Sequence, residues 1–163
     1  YEIGSGLVGS EMCIRDRVLG RITPYLGALP LPDDRGAMKH FLEALTWHTD
    51  CGDCIMIYPE AHIWPFYTGI RPFPDTSFRY PVQQKLPVFC LTNTYQRRGK
   101  SHIPQIVTYL DGPFYPDAEL PAKLQKTQLR DQVYEAMGKR AQNSNMEMIC
   151  YIKKDTDREK SFI

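Results

Sequence analysis

No charge of one sign dominates this chain: twenty basic residues stand against nineteen acidic ones, a net +1 over 163 residues. That balance leaves no electrostatic footprint for a nucleic-acid backbone, which removes nucleic acid as a partner. Long apolar runs are missing too, and no segment reaches the roughly 20 residues a helix needs to cross a bilayer. The five cysteines, Cys13, Cys51, Cys54, Cys90 and Cys150, are odd in number and follow no secreted-framework spacing. Reduced thiols in a cytosolic setting are expected. There is no internal repeat and no low-complexity block. What is present suits one globular domain with a proper core: 42% hydrophobic residues, with thirteen prolines and ten tyrosines as a mild excess that implies many loops.

The amino end lacks an initiator Met, a signal-peptide pattern and an amphipathic period. The stretch from Gly6 to Arg17 resembles a translated sequencing adapter, so residues 1–17 are read as non-native. The natural sequence is then expected to begin near Val18, with its own amino-terminal part missing. Inside that stretch Gly4, Gly6 and Gly9 satisfy G-x-G-x-x-G, which binds a dinucleotide only when a strand precedes it and a helix follows. Only three residues precede it and no helical stripe follows, so a flexible linker is the reading. At the other end the charged residues 153–163 read as a frayed tail, leaving 18–152 as the domain.

Within the domain, Tyr25 to Pro32 reads as a short strand broken by prolines, and Asp33-Asp34 offers a helix cap. Met38, Phe41, Leu42 and Leu45 fall at i, i+3, i+4 and i+7, one face of a helix that runs to about Trp47 or His48 and is ended by Gly52. Ile55 to Tyr58 is too short for a helix and suits a strand buried on both faces, stopped where Pro59 supplies no N–H. Strand, helix, strand predicts a right-handed parallel crossover. Phe66 to Tyr80 reads as a loop carrying Arg71 and Arg79. Leu86 to Thr92 and Gln105 to Leu110 are further strands, the second closed by the turn signal Asp111-Gly112. Leu129, Val133, Ala136, Met137 and Arg140 mark a final helix that packs on the sheet. The expected class is α/β: a mixed, largely parallel sheet flanked by helices and incomplete at its amino end.

Glu60 stands at the carboxyl end of a strand, where open α/β sheets bind ligands. The plain alternative is a loop carboxylate facing solvent. Its surroundings carry a resemblance. Tyr58-Pro59-Glu60 after an apolar strand, Phe66-Tyr67-Thr68-Gly69, and then Leu86-Pro87-Val88-Phe89-Cys90 resemble the third and fourth blocks of the lysophospholipid acyltransferase family, which includes 1-acyl-glycerol-3-phosphate acyltransferases. Upstream, Gly27 to Arg35 resembles the second block, and the similarity spans about Val18 to Ile152. Ala61, Ile63 and Cys90 stand where the family has Gly, Arg and Pro.

The resemblance implies an enzyme of phospholipid synthesis that moves a fatty acyl group from a thioester, acyl-CoA or acyl-carrier protein, to a lysophospholipid or glycerol-phosphate-type hydroxyl. No metal or other cofactor is implied, and the setting is peripheral, at the cytoplasmic face of a membrane. It implies that Arg35 and Glu60 bind the acceptor, that Gly69 is a backbone-permissive position, and that Pro59 shapes the turn. Arg71 is read from the residues themselves as replacing the Arg lost at Ile63, since a guanidinium suits bidentate phosphate binding. His62 reads as a contact for the acceptor head group.

Acyl transfer to a hydroxyl needs a general base, usually a His oriented by a carboxylate. The family supplies one in a His-x-x-x-x-Asp block that precedes the others, so here it is expected upstream of Val18. The chain is therefore expected to be an inactive fragment with an apolar sheet face laid open. His48 and Asp53 match that block by letter, yet they follow the second block at a helix end, and His48 reads as a C-terminal residue favoured by the helix dipole. The rival reading is a metal or redox module on Cys51-Gly52-Asp53-Cys54, with His48 and Asp50 close by. It has no second C-x-x-C, and it precedes a strand where a redox motif opens a helix.

Overall fold

The computed structural model describes residues 5–8, 29, 35–60 and 64–152. Helix α1 (Arg35–Asp50) takes the periodicity at its word. Phe41 and Leu45 are buried and Met38 and Leu42 half-buried, along one face. The helix stops at Gly52, whose φ of +84° lies in the left-handed region that favours glycine. There the Gly52 N–H donates to the Thr49 carbonyl at 3.0 Å and the Asp53 N–H to the His48 carbonyl at 2.9 Å, the paired bonds of a glycine C-cap. The cap reverses the chain, and β2 (Cys54–Ile57) runs back along α1.

Strand β1 (Ser5–Val8) pairs parallel with β2, with Ser5 opposite Cys54 and Val8 opposite Ile57. The segment read as a linker thus supplies a strand. A ladder is built from main-chain groups alone, and Ser5-Gly6-Leu7-Val8 contains no proline to interrupt it. The glycine fingerprint fails in context because the strand falls on Gly6, not ahead of Gly4. The strand expected at Tyr25 to Pro32, Leu29 apart, and the cap at Asp33-Asp34 lie outside the described residues.

The second sheet is antiparallel, and a largely parallel sheet is not shown among the described residues. β3 (Val88–Gln96) and β4 (Gln105–Phe114) pair antiparallel, so the described residues hold one parallel and one antiparallel pair. The two strands are neighbours in sequence, and a short connection through Gly99, φ +53°, closes a hairpin that needs no crossover. β4 also runs through Asp111-Gly112 without turning. Gly112, at φ +131°, sits against a bulge between Val88 and Cys90, where an added Cβ would stand 2.9 Å from the Val88 carbonyl oxygen and from Phe89 Cδ1. The Asp-Gly pair is therefore a bulge signature inside a strand, not a turn. Asp111 accepts from Arg140 Nε, 2.8 Å from Oδ2 and 3.0 Å from Oδ1, and from Nη2, 2.6 Å from Oδ1. Those bonds hold the Asp111 carboxyl below its ordinary value.

Within the stretch read as loop lies a 3-10 turn (Thr76–Phe78), and helix α2 (Arg79–Gln84) begins at the end of that stretch and runs beyond it. Pro81 is tolerated because it falls in the first turn, where its missing N–H would have no helical partner. Tyr80 meets Phe41 of α1 edge-on at 5.6 Å. Helix α3 (Ala122–Ala141) covers one face of β3–β4, as the periodicity predicts. Leu129, Val133 and Met137 close over Cys90 and join Phe73, Phe78 and Val82 in the main core, with Ala136 packed beside them. Burial raises the Cys90 thiol pKa, so it is a packing group. The opposite face of the hairpin is open, with Phe89 52% and Leu110 63% exposed beside Leu91 and Ile106. No helix among the described residues is long and apolar enough to cross a membrane.

Candidate functional site

The four-residue apolar strand β2 ends in a turn at Pro59-Glu60, so the carboxylate leaves the sheet at its carboxyl end, as the apolar run followed by proline predicts. Glu60 is half-buried, and its Oε2 accepts the backbone N–H of Arg71 at 3.2 Å. Burial raises the Glu60 carboxyl above its ordinary value, and the Arg71 N–H and guanidinium charge offset only part of that rise. Two of the residues singled out from the sequence, Glu60 and Arg71, are thereby brought together by a loop that returns on itself.

The Arg71 guanidinium lies over the Trp64 ring, 4.3 Å from its centroid. Trp64 in turn stacks on Tyr151 at 4.8 Å with planes 21° apart, and Tyr67 stands edge-on to both. Arg71 Nη1 is buried and has no hydrogen-bond partner among the described residues. An unpaired buried donor costs about 1–3 kcal/mol, so an anionic oxygen placed there would recover that free energy. The loop also holds Phe66 at φ +58°, a conformation that costs a bulky residue on the order of 1–3 kcal/mol and that collects at ligand-binding segments. Its ring rests against Tyr95 at the end of β3.

Gly69 sits against the ring of Tyr67. Its φ is not in the left-handed region; what its missing side chain provides is room for Tyr67, whose Oη would stand 3.0 Å from an added Cβ. Arg35 is the first residue of α1. His62 lies outside the described residues.

His48 and Asp53 are in contact at the cap between α1 and β2. Nδ1 of His48 lies 2.8 Å from Oδ2 of Asp53, each side chain about a quarter exposed. The cap explains the spacing. A glycine C-cap brings a residue beside the one five positions on, which is also the separation in His-x-x-x-x-Asp. No hydrogen bond or ring contact joins this pair to Glu60 or Arg71, and the four residues of β2, roughly 13 Å at about 3.3 Å each, lie between them. Cys51 and Cys54 are free and exposed beside it. Among the described residues no three His, Cys, Asp or Glu side chains are grouped so as to hold a metal ion.

Sequence reasoning had no signal for Tyr151, which reaches the loop from beyond α3, or for the strain at Phe66. Comparison with known protein families, curated proteins and solved structures returns no match.

Proposed function

We propose that the loop from Pro59 to Arg71 binds the phosphate-bearing acceptor of an acyltransferase of phospholipid synthesis, a lysophospholipid or a glycerol-phosphate-type compound. The acyl donor in this reading is a thioester, acyl-CoA or acyl-carrier protein, and the lipid acceptor goes with peripheral contact at the cytoplasmic face of a membrane. The observation that carries the reading is the pairing of Glu60 with Arg71, whose buried Nη1 lacks an acceptor among the described residues. A guanidinium with an unpartnered Nη1 suits a phosphate oxygen, and the carboxylate that accepts the Arg71 backbone N–H suits the hydroxyls of a glycerol unit. Arg35, the first residue of α1, is in this reading a second cation for the same ligand, and Pro59 sets the turn.

The chemistry also needs a base to take the proton of the attacking hydroxyl and donors for the oxyanion. His48 and Asp53 have the form of such a base, but β2 separates them from Glu60, so the reading assigns them to the helix cap and assigns no catalytic base within this chain. Glycerol 3-phosphate titrated into the purified chain and followed by NMR should perturb the resonances of Arg71 and Glu60, and Arg71→Ala should weaken binding about tenfold or more. Unchanged binding in Arg71→Ala overturns the assignment. Acyl-CoA-dependent turnover that disappears in His48→Ala would overturn the reading of the cap.

A further inference from the structure

The segment 144–151, beyond α3, folds back onto the molecule. Tyr95, near the end of β3, donates its N–H to Ser144 Oγ at 3.2 Å, and its carbonyl accepts the N–H groups of Asn145 and Met146 at 3.0 and 3.2 Å. Asn145 Oδ1 accepts the Arg97 N–H at 2.7 Å. At its other end the same segment reaches the Glu60 loop, where the Tyr151 hydroxyl donates to the Pro65 carbonyl at 2.8 Å. Met148, Ile149 and Cys150 between these anchors are exposed. Residues 144–151 therefore form a strap fastened at two points.

We infer that Tyr151 is a positioning residue for the Arg71 guanidinium and acts through the ring of Trp64. This deepens the acceptor-site reading and rests on it for its function, though not for its geometry. Trp64 is 40% exposed, so burial does not fix its ring. Its pose is set by the stack on Tyr151 and the edge contact with Tyr67. The bond from Tyr151 to the carbonyl of Pro65 ties down the backbone next to that ring. A guanidinium is held over an aromatic face by the ring quadrupole, and the hold is lost when the face turns away. The strap thus decides where the donors of Arg71 point, although no atom of Tyr151 need touch a ligand.

The test uses the full chain, uniformly labelled with nitrogen-15. The Arg71 Nε–Hε signal, assigned by its loss in Arg71→Lys, reports ring-current shift and side-chain order. Tyr151→Leu keeps apolar bulk without a ring to stack, and Tyr151→Phe keeps the ring without the tether. In Tyr151→Leu the signal should move toward the position of a free arginine and its heteronuclear NOE should fall, while the amides of β3 and α3 stay in place. Tyr151→Phe should fall between that variant and the wild type. Affinity for inorganic phosphate should drop about fivefold in Tyr151→Leu. An Arg71 Nε–Hε signal that keeps its shift and NOE in Tyr151→Leu overturns the inference. A wild-type signal that ignores phosphate and glycerol 3-phosphate but still responds to Tyr151→Leu overturns the acceptor reading and leaves the positioning role standing.

Discussion

Replacing Leu129 with alanine should cost about 3–4 kcal/mol of stability. Leu129 is fully buried and faces the cluster of Phe73, Phe78, Val82, Cys90, Val133 and Met137. The substitution removes three carbons, about 2.4 kcal/mol at about 0.8 kcal/mol each, and leaves a void whose cost adds to that. Collapse into the void is hindered, because Phe73 and Phe78 stack nearly parallel, 12° apart, and Phe73 is also braced edge-on by Tyr134. For a domain of this size each kcal/mol shifts Tm by about 4 °C, so a fall of about 12–16 °C is expected. Urea unfolding followed by circular dichroism measures the free energy, with an unchanged m-value showing that the unfolded state is the same. The control is Leu124→Ala on the same helix, where the side chain is 52% exposed and the loss should stay below about 1 kcal/mol. Equal losses in the two variants, or less than about 1 kcal/mol in Leu129→Ala, would refute the docking of α3 through this face.

Glu60→Gln tests the environment of the candidate site through pH. Burial raises the Glu60 pKa in the folded state. The stability that its neutral form contributes is present below the unfolded value and is lost as pH rises through the folded one. Glutamine should therefore match the wild type at about pH 4 and melt slightly higher at about pH 7, by less than about 1 kcal/mol because the half-exposed carboxyl is screened. Thermal melts at the two pH values decide it, and a lower Tm for the variant at neutral pH contradicts the assignment. Gly112→Ala should lose about 2 kcal/mol or more, since φ +131° strains any side chain and the new Cβ meets the Val88 carbonyl of the partner strand. A variant within about 0.5 kcal/mol of the wild type in the same urea assay would mean that the bulge does not need glycine there.

What could be read from the residues in order was whatever rests on periodicity or a local stop. Phe41 and Leu45 show the buried side of α1 because a helix brings every third and fourth residue together, and Leu129, Val133 and Met137 do the same for α3. Gly52 was legible as a stop because only glycine accepts that φ cheaply. Asp111-Gly112 misled because the same dipeptide serves turns and bulges, and which one forms depends on Phe89 in another strand. α2 was missed because six residues with a proline inside show too little period. At the site, Glu60 and Arg71 were legible singly, as a carboxylate after a strand and a guanidinium in a loop. Their contact, the ring of Trp64 beneath the guanidinium, and Tyr151 behind it depend on how distant segments pack, which no local pattern encodes.

The parallel pair of β1 and β2 closes a much longer loop than the hairpin does. Ser5 meets Cys54 only after the intervening residues have been gathered in, whereas Gln96 meets Gln105 across a single short connection. Loop-closure entropy grows with the logarithm of length, so the first contact costs about 1.5 kcal/mol more to close than the second. The hairpin and the helix that follows it are also rich in local contacts, the kind that form early. On loop entropy β1 is therefore expected to pair after the hairpin has closed.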